Sequence, residues 1–281
     1  EVERPRMPDT ATVAAFEWLA RHDIAWAGRS GWSGQWLHWT APDQEPDDPC
    51  PTDLWAAIQT AKRKEPPPIY YAILQMDGDH LGKWLSGEKS PSLADALHPR
   101  FRAYFEALQD REASKQAMTC RVPVTPALHA SISEALAHFS VESAPAIVKD
   151  YGGVLIYAGG DDVLALLPAA RVLACARDLQ LAFGGKCDGW HELGGLEFIA
   201  MGSLASISAG IAVAHYKDDL RESLREAREA EKAAKGAGRD ALAVTIARRG
   251  GEHATAVCPW NQTDALQSLV NHFQEDGASD R

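Results

Sequence analysis

What this chain has little of narrows it first. Its five cysteines (Cys50, Cys120, Cys175, Cys187 and Cys258) are odd in number and include no CxxC pair. That argues against a zinc site and against a disulfide framework, and a reducing cytoplasm fits the usage. No apolar run approaches the roughly 20 residues needed to span a bilayer, and no signal peptide is visible. Positive charge is also short: 28 Lys and Arg stand against 39 Asp and Glu, a net charge of −11. Such a chain is a poor free-standing nucleic-acid binder, because neutralising phosphates takes basic surface. It can still handle small charged ligands through metal ions. There is no Walker P-loop, which excludes that class of NTPase. The first residue is Glu1 rather than Met, which reads as a fragment or a processed chain.

What is present is 281 residues of 46% hydrophobic content, enough for one large domain or two modest ones. The most informative stretch is 150–167. Two apolar runs, Val154–Ala158 and Val163–Leu167, flank Gly159-Gly160-Asp161-Asp162. Each run has strand length, and a glycine pair allows positive φ at a tight turn. The pattern predicts a β-hairpin with two carboxylates at its tip. Alone, an Asp-Asp turn is also ordinary solvated turn chemistry.

Upstream, Ile69–Met76 reads as a buried strand ending in Asp77-Gly78-Asp79-His80. Leu97–Leu108 reads as helical, with 86–96 as loop and 109–123 unassigned. Thr125-Pro126 opens a helix through Leu128, Ile132, Leu136 and Phe139. Ala144–Tyr151 continues it to a stop at Gly152-Gly153. Pro168-Ala169-Ala170 opens a further helix through Phe183, and 184–204 is a glycine-rich excursion. Ala205–Ala214 is a strand, with Gly210 marking close approach of backbone or ligand. Leu220–Lys235 is a helix of high propensity led by Asp218 and Asp219, and Ala241–Ala247 is a last strand.

This order is the split βαβ plan, so the expectation is α+β: a ferredoxin-like palm over 67–250, its sheet covered mainly on one face. Residues 1–66 read as a small, mainly helical adaptor. In it Asp9-Thr10 caps a helix, and Trp26, Trp32, Trp36 and Trp39 pack a core or, less simply, offer a stacking surface. Residues 251–281 read as a helical tail, with a helix over Gln262–Phe273.

In the palm plan the first strand lies beside the hairpin, so Asp77, Asp79, Asp161 and Asp162 converge. Carboxylates gathered this way repel and raise each other's pKa, and divalent cations relieve the conflict. Mg²⁺ or Mn²⁺ prefers oxygen ligands and shares them with substrate phosphates. Gly78, lacking a side chain, lets its carbonyl reach such an ion. Lys235-Gly236-Ala237-Gly238-Arg239 sets two cations around a glycine-rich turn at a helix end. They serve either as helix-dipole partner and cap or as a clamp on a nucleoside triphosphate. His80, Lys83, His129 and Ser208 are weaker candidates for a base, a phosphate contact, a base-pocket residue and a nucleotide-lining hydroxyl.

Together Met76-Asp77-Gly78-Asp79-His80-Leu81-Gly82-Lys83, Tyr157-Ala158-Gly159-Gly160-Asp161-Asp162-Val163-Leu164 and Ser208-Ala209-Gly210-Ile211-Ala212 resemble the large subunit of type III CRISPR–Cas effector complexes. The Cmr (III-B) branch is the best match, and Pro8–Ala14 resembles the segment after that family's zinc-binding region. More distantly, the hairpin, Asp77 and Lys235 to Arg239 resemble GGDEF diguanylate cyclases and adenylyl cyclases. The resemblance implies a metal-dependent nucleotidyltransferase converting ATP to cyclic oligoadenylate once target RNA pairs with guide RNA. It implies Asp77, Gly78, Asp79, Asp161 and Asp162 at the metal, with Asp77, Asp161 and Asp162 catalytic. It implies Gly78, Gly159, Gly160, Ser208, Lys235 and Arg239 around the nucleotide. The family's HD nuclease domain, first palm and zinc finger have no counterpart here, and the missing palm supplies half of the family's ATP cleft. The expectation is therefore a palm that works by self-association or with other subunits of the ribonucleoprotein; the alternatives are an ATP-binding or scaffold palm inactive when isolated, or a diguanylate cyclase.

Overall fold

In the computed structural model the described residues are 7–107, 111–185, 190–247 and 253–268. The helix that Asp9 and Thr10 open is broken at Ala15 into α1 (Thr10–Ala14) and α2 (Phe16–Arg21). Asp9 starts α1: one carboxylate oxygen accepts from the Thr12 amide at 2.8 Å, the other from the Gly34 amide at 2.8 Å. A single side chain thus caps the helix and pins the tryptophan-rich segment onto it. A 3₁₀ turn at Gly34–His38 and helix α3 (Thr52–Lys62) follow. Trp18, Leu19, Trp36, Leu37, Trp39, Leu54 and Ile58 bury one another in a core of their own, with Trp26 and Trp32 against it. The tryptophans therefore pack, the simpler of the two expectations.

Strand β1 (Tyr70–Gly78) opens the sheet. Helices α4 (Leu81–Leu85), α5 (Leu93–Ala96), α6 (Pro99–Glu106) and α7 (Arg111–Thr119) come next. So 86–96 is not all loop, and the unassigned stretch carries α7. Helix α8 (Pro126–His138), capped by Thr125, runs through a π-helical turn at Phe139–Ser143 into α9 (Ala144–Asp150). Gly152, at φ +68°, stops it. The hairpin is β2 (Val154–Gly159) and β3 (Asp162–Pro168). Helix α10 (Val172–Gly184) leads to a separate ribbon, β4 (Trp190–Leu193) and β5 (Leu196–Ile199), inside the glycine-rich excursion. Strand β6 (Ile207–His215), helix α11 (Leu220–Gly236), strand β7 (Ala241–Ala247) and strand β8 (His253–Pro259) complete it.

The main sheet runs β2-β3-β1-β6-β7-β8. β1 is antiparallel to both β3 and β6, as the palm plan requires. Strand alternation splits β1 between two cores. Ala72, Leu74 and Met76 meet Ile147 and Val148 of α9 and Cys175 and Leu179 of α10. Tyr71 and Ile73 meet Val13 and Ala14 of α1 and Ala227 of α11. Helices therefore cover both faces, which corrects the one-face expectation. The apolar run Tyr71–Leu74 of β1 has the reason for its composition here, since a strand buried on both sides cannot alternate.

Residues 253–259, read as the start of a helical tail, instead pair as β8 with β7. Residues 263–268 are helical; the rest of Gln262–Phe273 lies outside the described residues, as does Cys187. Cys50, Cys120, Cys175 and Cys258 are free thiols. Among the described residues no helix is long and apolar enough to cross a membrane.

Candidate active site at the end of the first strand

The acids meet because of register. β1 and β3 pair through Met76 and Val163, and one further step in that register sets Asp77 opposite Asp162. By alternation both lie on the α11 face of the sheet. Gly160 takes φ +63° at the first central position of the two-residue turn, where glycine has no steric cost, and Asp161 follows it. Asp161 then folds against Gly78: a Cβ on Gly78 would stand 2.7 Å from both Cβ and Oδ2 of Asp161. The glycine between the two upstream acids is thus the seat of the hairpin tip. Gly159 has a local cause too, because the Tyr157 hydroxyl lies 2.2 Å from where its Cβ would be.

The electrostatics follow from this packing. Burial pushes the Asp161 carboxyl above the usual carboxylate range, and Asp77 adds to the effect. Burial, then Asp77 and Asp161, does the same to Asp162. Lys235, on the last turn of α11, is the local counter-charge. It pairs with Asp77 and sits 3.0 Å from Glu231. Burial alone would pull its ammonium down, but the bonds to Asp77 and Glu231 outweigh that and raise it.

Asp79 stands apart from this group. Its side chain is wholly buried, and it accepts from the Ser208 and Ser206 hydroxyls at 2.8 Å each and from the Asp240 amide at 3.0 Å. Ser208 is therefore turned onto Asp79, the buried strand serine of the simpler expectation. Arg239 lies at φ +68° in the turn after α11, its Nε 3.9 Å from Asp79. His80 adopts φ +60° ahead of α4, and burial, with Arg239, Lys89 and Lys83 nearby, pulls its imidazole below the ordinary value. Lys83 is an exposed partner of Glu88 at 3.8 Å, and His129 is exposed on α8.

Three contributors were not anticipated. Glu231 was readable in principle, since it precedes Lys235 by four residues on one helix face. Ser206 lies two residues before Ser208 and so points the same way. The Asp240 amide left no signal in the sequence, because it depends on the turn's left-handed backbone.

As arranged, no group of three or more His, Cys, Asp and Glu among the described residues is set to hold a metal ion; Lys235 stands at Asp77 instead. The donor set nonetheless fits a hard cation. It is all oxygen, and two of its carboxyls are held above their ordinary range by burial and mutual repulsion, the imbalance a divalent ion relieves.

Comparison with known proteins agrees with this architecture. The family described as Cas10/Cmr2, second palm domain, matches residues 70–243. The CRISPR system Cmr subunit Cmr2 of Pyrococcus furiosus is 38% identical over 196 residues, 69% of this chain and 20% of that protein. The chain thus spans about a fifth of that relative's length. A second Cmr2, from Saccharolobus solfataricus, is 35% identical over 110 residues, 36% of this chain and 10% of that one. The type III-B Cmr-beta complex in its apo state, solved by cryo-EM, contains a chain of the same fold. Its TM-score is 0.60 at 17% identity, covering 96% of this chain and 38% of that one. From the strand order, the Gly-Gly-Asp-Asp hairpin and these matches, the chain belongs to the Cas10/Cmr2 family and carries its second palm domain.

Proposed function

We propose that this palm is the catalytic half of a metal-dependent nucleotidyltransferase that builds cyclic oligoadenylate from ATP when target RNA is recognised. The observation that carries the proposal is the register of β1 with β3, which sets Asp162 opposite Asp77, together with the packing of Asp161 on Gly78. Asp77, Asp161 and Asp162 would hold Mg²⁺ or Mn²⁺, with the Gly78 carbonyl beside them. When bound, such an ion supplies a Lewis acid that lowers the pKa of an attacking hydroxyl and steadies leaving pyrophosphate. The chain's own part is positioning. Gly159 and Gly160 keep the tip low, so a triphosphate can approach the carboxylates. Lys235 exchanges Asp77 for a phosphate oxygen while Glu231 keeps its ammonium charged and aimed. Arg239 offers a planar fork of donors to the same phosphates. The 3′-hydroxyl of one ATP, held against the acids, then displaces pyrophosphate from the α-phosphate of a second.

The P. furiosus relative is a subunit of a Cmr system, and one solved neighbour of this fold (TM-score 0.61) is bound to cognate target RNA. In the same way this chain would work in the cytoplasm inside a type III CRISPR ribonucleoprotein. Guide and target RNA would be held mainly by other subunits, as a net charge of −11 favours. A second reading, an ATP-holding palm without turnover when alone, is favoured by Lys235 pairing with Asp77.

The test is labelled ATP or GTP with Mg²⁺, given to the chain alone and to the chain assembled with its partner subunits, guide RNA and target RNA. Oligoadenylate from the assembly, cut by about two orders of magnitude or more in Asp161→Ala/Asp162→Ala, is expected. Undiminished output from that variant would sink the proposal. Cyclic di-GMP from GTP would make the chain a diguanylate cyclase, and ATP bound without product would make it a scaffold.

A further inference from the structure

We infer that Asp79 is a positioning residue: it holds the Arg239–Asp240 turn and so aims Arg239, and it ligates no cation. The inference rests on the proposed nucleotide site. Asp77 and Asp79 are two residues apart on the same strand face, yet their surroundings differ completely. The Asp77 side chain is 39% exposed, with the Lys235 ammonium in front of it. The Asp79 side chain is 0% exposed.

A carboxylate offers about four acceptor directions. Asp79 uses three in short bonds, to Ser208 through Oδ1 and to Ser206 and the Asp240 amide through Oδ2. Its remaining direction faces Arg239, 3.9 Å away. A buried charge has to be compensated by partners of this kind. With them in place only the lone pair that faces the Arg239 guanidinium is left, and a cation there would meet that positive charge. The Asp79 amide also donates to the Ser206 carbonyl at 2.8 Å, so the residue extends the β1–β6 ladder past the end of β1.

The second half of the argument is the turn. Arg239 and Asp240 stand at φ +68° and +48°, conformations that non-glycine residues rarely adopt and that need surrounding structure to hold them. Three bonds do so: the Arg239 amide to the Ala234 carbonyl at 3.2 Å, the Trp260 amide to the Asp240 carbonyl at 3.3 Å, and the Asp240 amide to Asp79 at 3.0 Å, the only one of the three made by a side chain. The guanidinium, 40% exposed, therefore hangs from a turn whose anchor is Asp79, with most of its donors free for an incoming phosphate. Without that anchor Arg239 would relax into the common backbone region and swing away.

The test compares Asp79→Asn, Asp77→Asn, Arg239→Ala and Ser206→Ala/Ser208→Ala in the full chain. Three quantities are read: Mn²⁺ affinity by electron paramagnetic resonance, Mg²⁺-ATP affinity, and amide hydrogen exchange across 236–241. For Asp79→Asn, Mn²⁺ affinity stays that of the parent while exchange in the turn quickens. ATP affinity falls about tenfold, the scale of one lost charge-assisted hydrogen bond. Adding Arg239→Ala costs nothing more, because Asp79 acts through Arg239. The double serine variant, which leaves the carboxylate in place, shifts the same readouts in the same direction and covers the case in which Asp79→Asn does not fold. A loss of Mn²⁺ affinity in Asp79→Asn as large as in Asp77→Asn would make Asp79 a ligand and overturn the inference. So would a turn as protected as the parent's. If Asp77→Asn leaves Mn²⁺ binding intact while the turn still opens in Asp79→Asn, the metal site has failed and the anchoring role stands.

Discussion

Replacing Gly210 by alanine tests the packing on which the site depends, without reference to any ligand. Gly210 sits on β6 under α11, where a Cβ would stand 2.2 Å from the Ala227 carbonyl oxygen and 2.2 Å from the Glu231 amide nitrogen. The Glu231 Cα would be 2.8 Å away. All three are backbone atoms, so no side chain can rotate aside. Ordinary contact needs the helix to retreat by more than about 1 Å. The buried Ala227, Ala230 and Ala234 that seat α11 would lose contact together. Overpacking of this kind costs typically 1–3 kcal/mol and sometimes more, and a clash with unyielding backbone belongs at the upper end, about 3 kcal/mol. In a chain of this size that lowers Tm by about 6–12 °C. Lys235 lies one turn beyond Glu231, so the displacement also carries the ammonium away from Asp77. Differential scanning calorimetry of Gly210→Ala against the parent, with ATP turnover in the assembled complex, measures both consequences. A Tm within about 1 °C of the parent would refute the claim that helix backbone rests on this glycine.

Gly78→Ala separates geometry from stability. Asp161 sits on a turn whose Gly160 has open space around it. The tip can therefore yield at less than about 1 kcal/mol, while turnover falls about 100-fold because the Asp161 carboxylate is displaced; parent-like turnover would show that its placement is not critical. Asp162→Asn probes the crowded carboxylates by pH. The folded protein holds the Asp162 proton more tightly than the unfolded chain does, so stability is lost as pH rises through that window and stays lower above it. The metal-free variant should melt above the parent at neutral pH and converge with it near about pH 3, where Asp162 is protonated in both states. Parallel melting curves at every pH would contradict a burial-raised carboxyl.

How much of this was legible follows from the range of each interaction. The hairpin was readable because two apolar runs and a glycine pair are local signals. Its neighbour in the sheet followed from the plan, and β1 does lie between β3 and β6. Helix α11 was readable from propensity, and Gly210 from its oddity inside a strand. What fills the space above that glycine is backbone, and only coordinates show it. The second helical face was missed because propensity shows that α11 is a helix but not which face it takes, and nothing in Val13 or Ala14 of α1 announces that they join it on Tyr71 and Ile73. Strand β8 was missed because Ala254-Thr255-Ala256 is short-chained and carries no strong strand preference; pairing with β7 decides it.

The two upstream aspartates show where reading by pattern stops. An Asp-Gly-Asp at a strand end puts both acids on one face and makes them equivalent. The fold separates them by what lies alongside. Asp77 is still inside the ladder, across from Ser208 on one side and next to the hairpin on the other. Asp79 is beyond the end of β1, where the hairpin has turned back on itself. Only the β6 side and the Arg239–Asp240 turn remain within its reach, and they bring two hydroxyls and an amide. One acid is left at the exposed cluster with Lys235, and the other is sealed by the hydroxyls and the amide it accepts from. The chemistry available to each aspartate is therefore set by its neighbours on β6 and in the turn after α11, residues more than a hundred positions away in the chain.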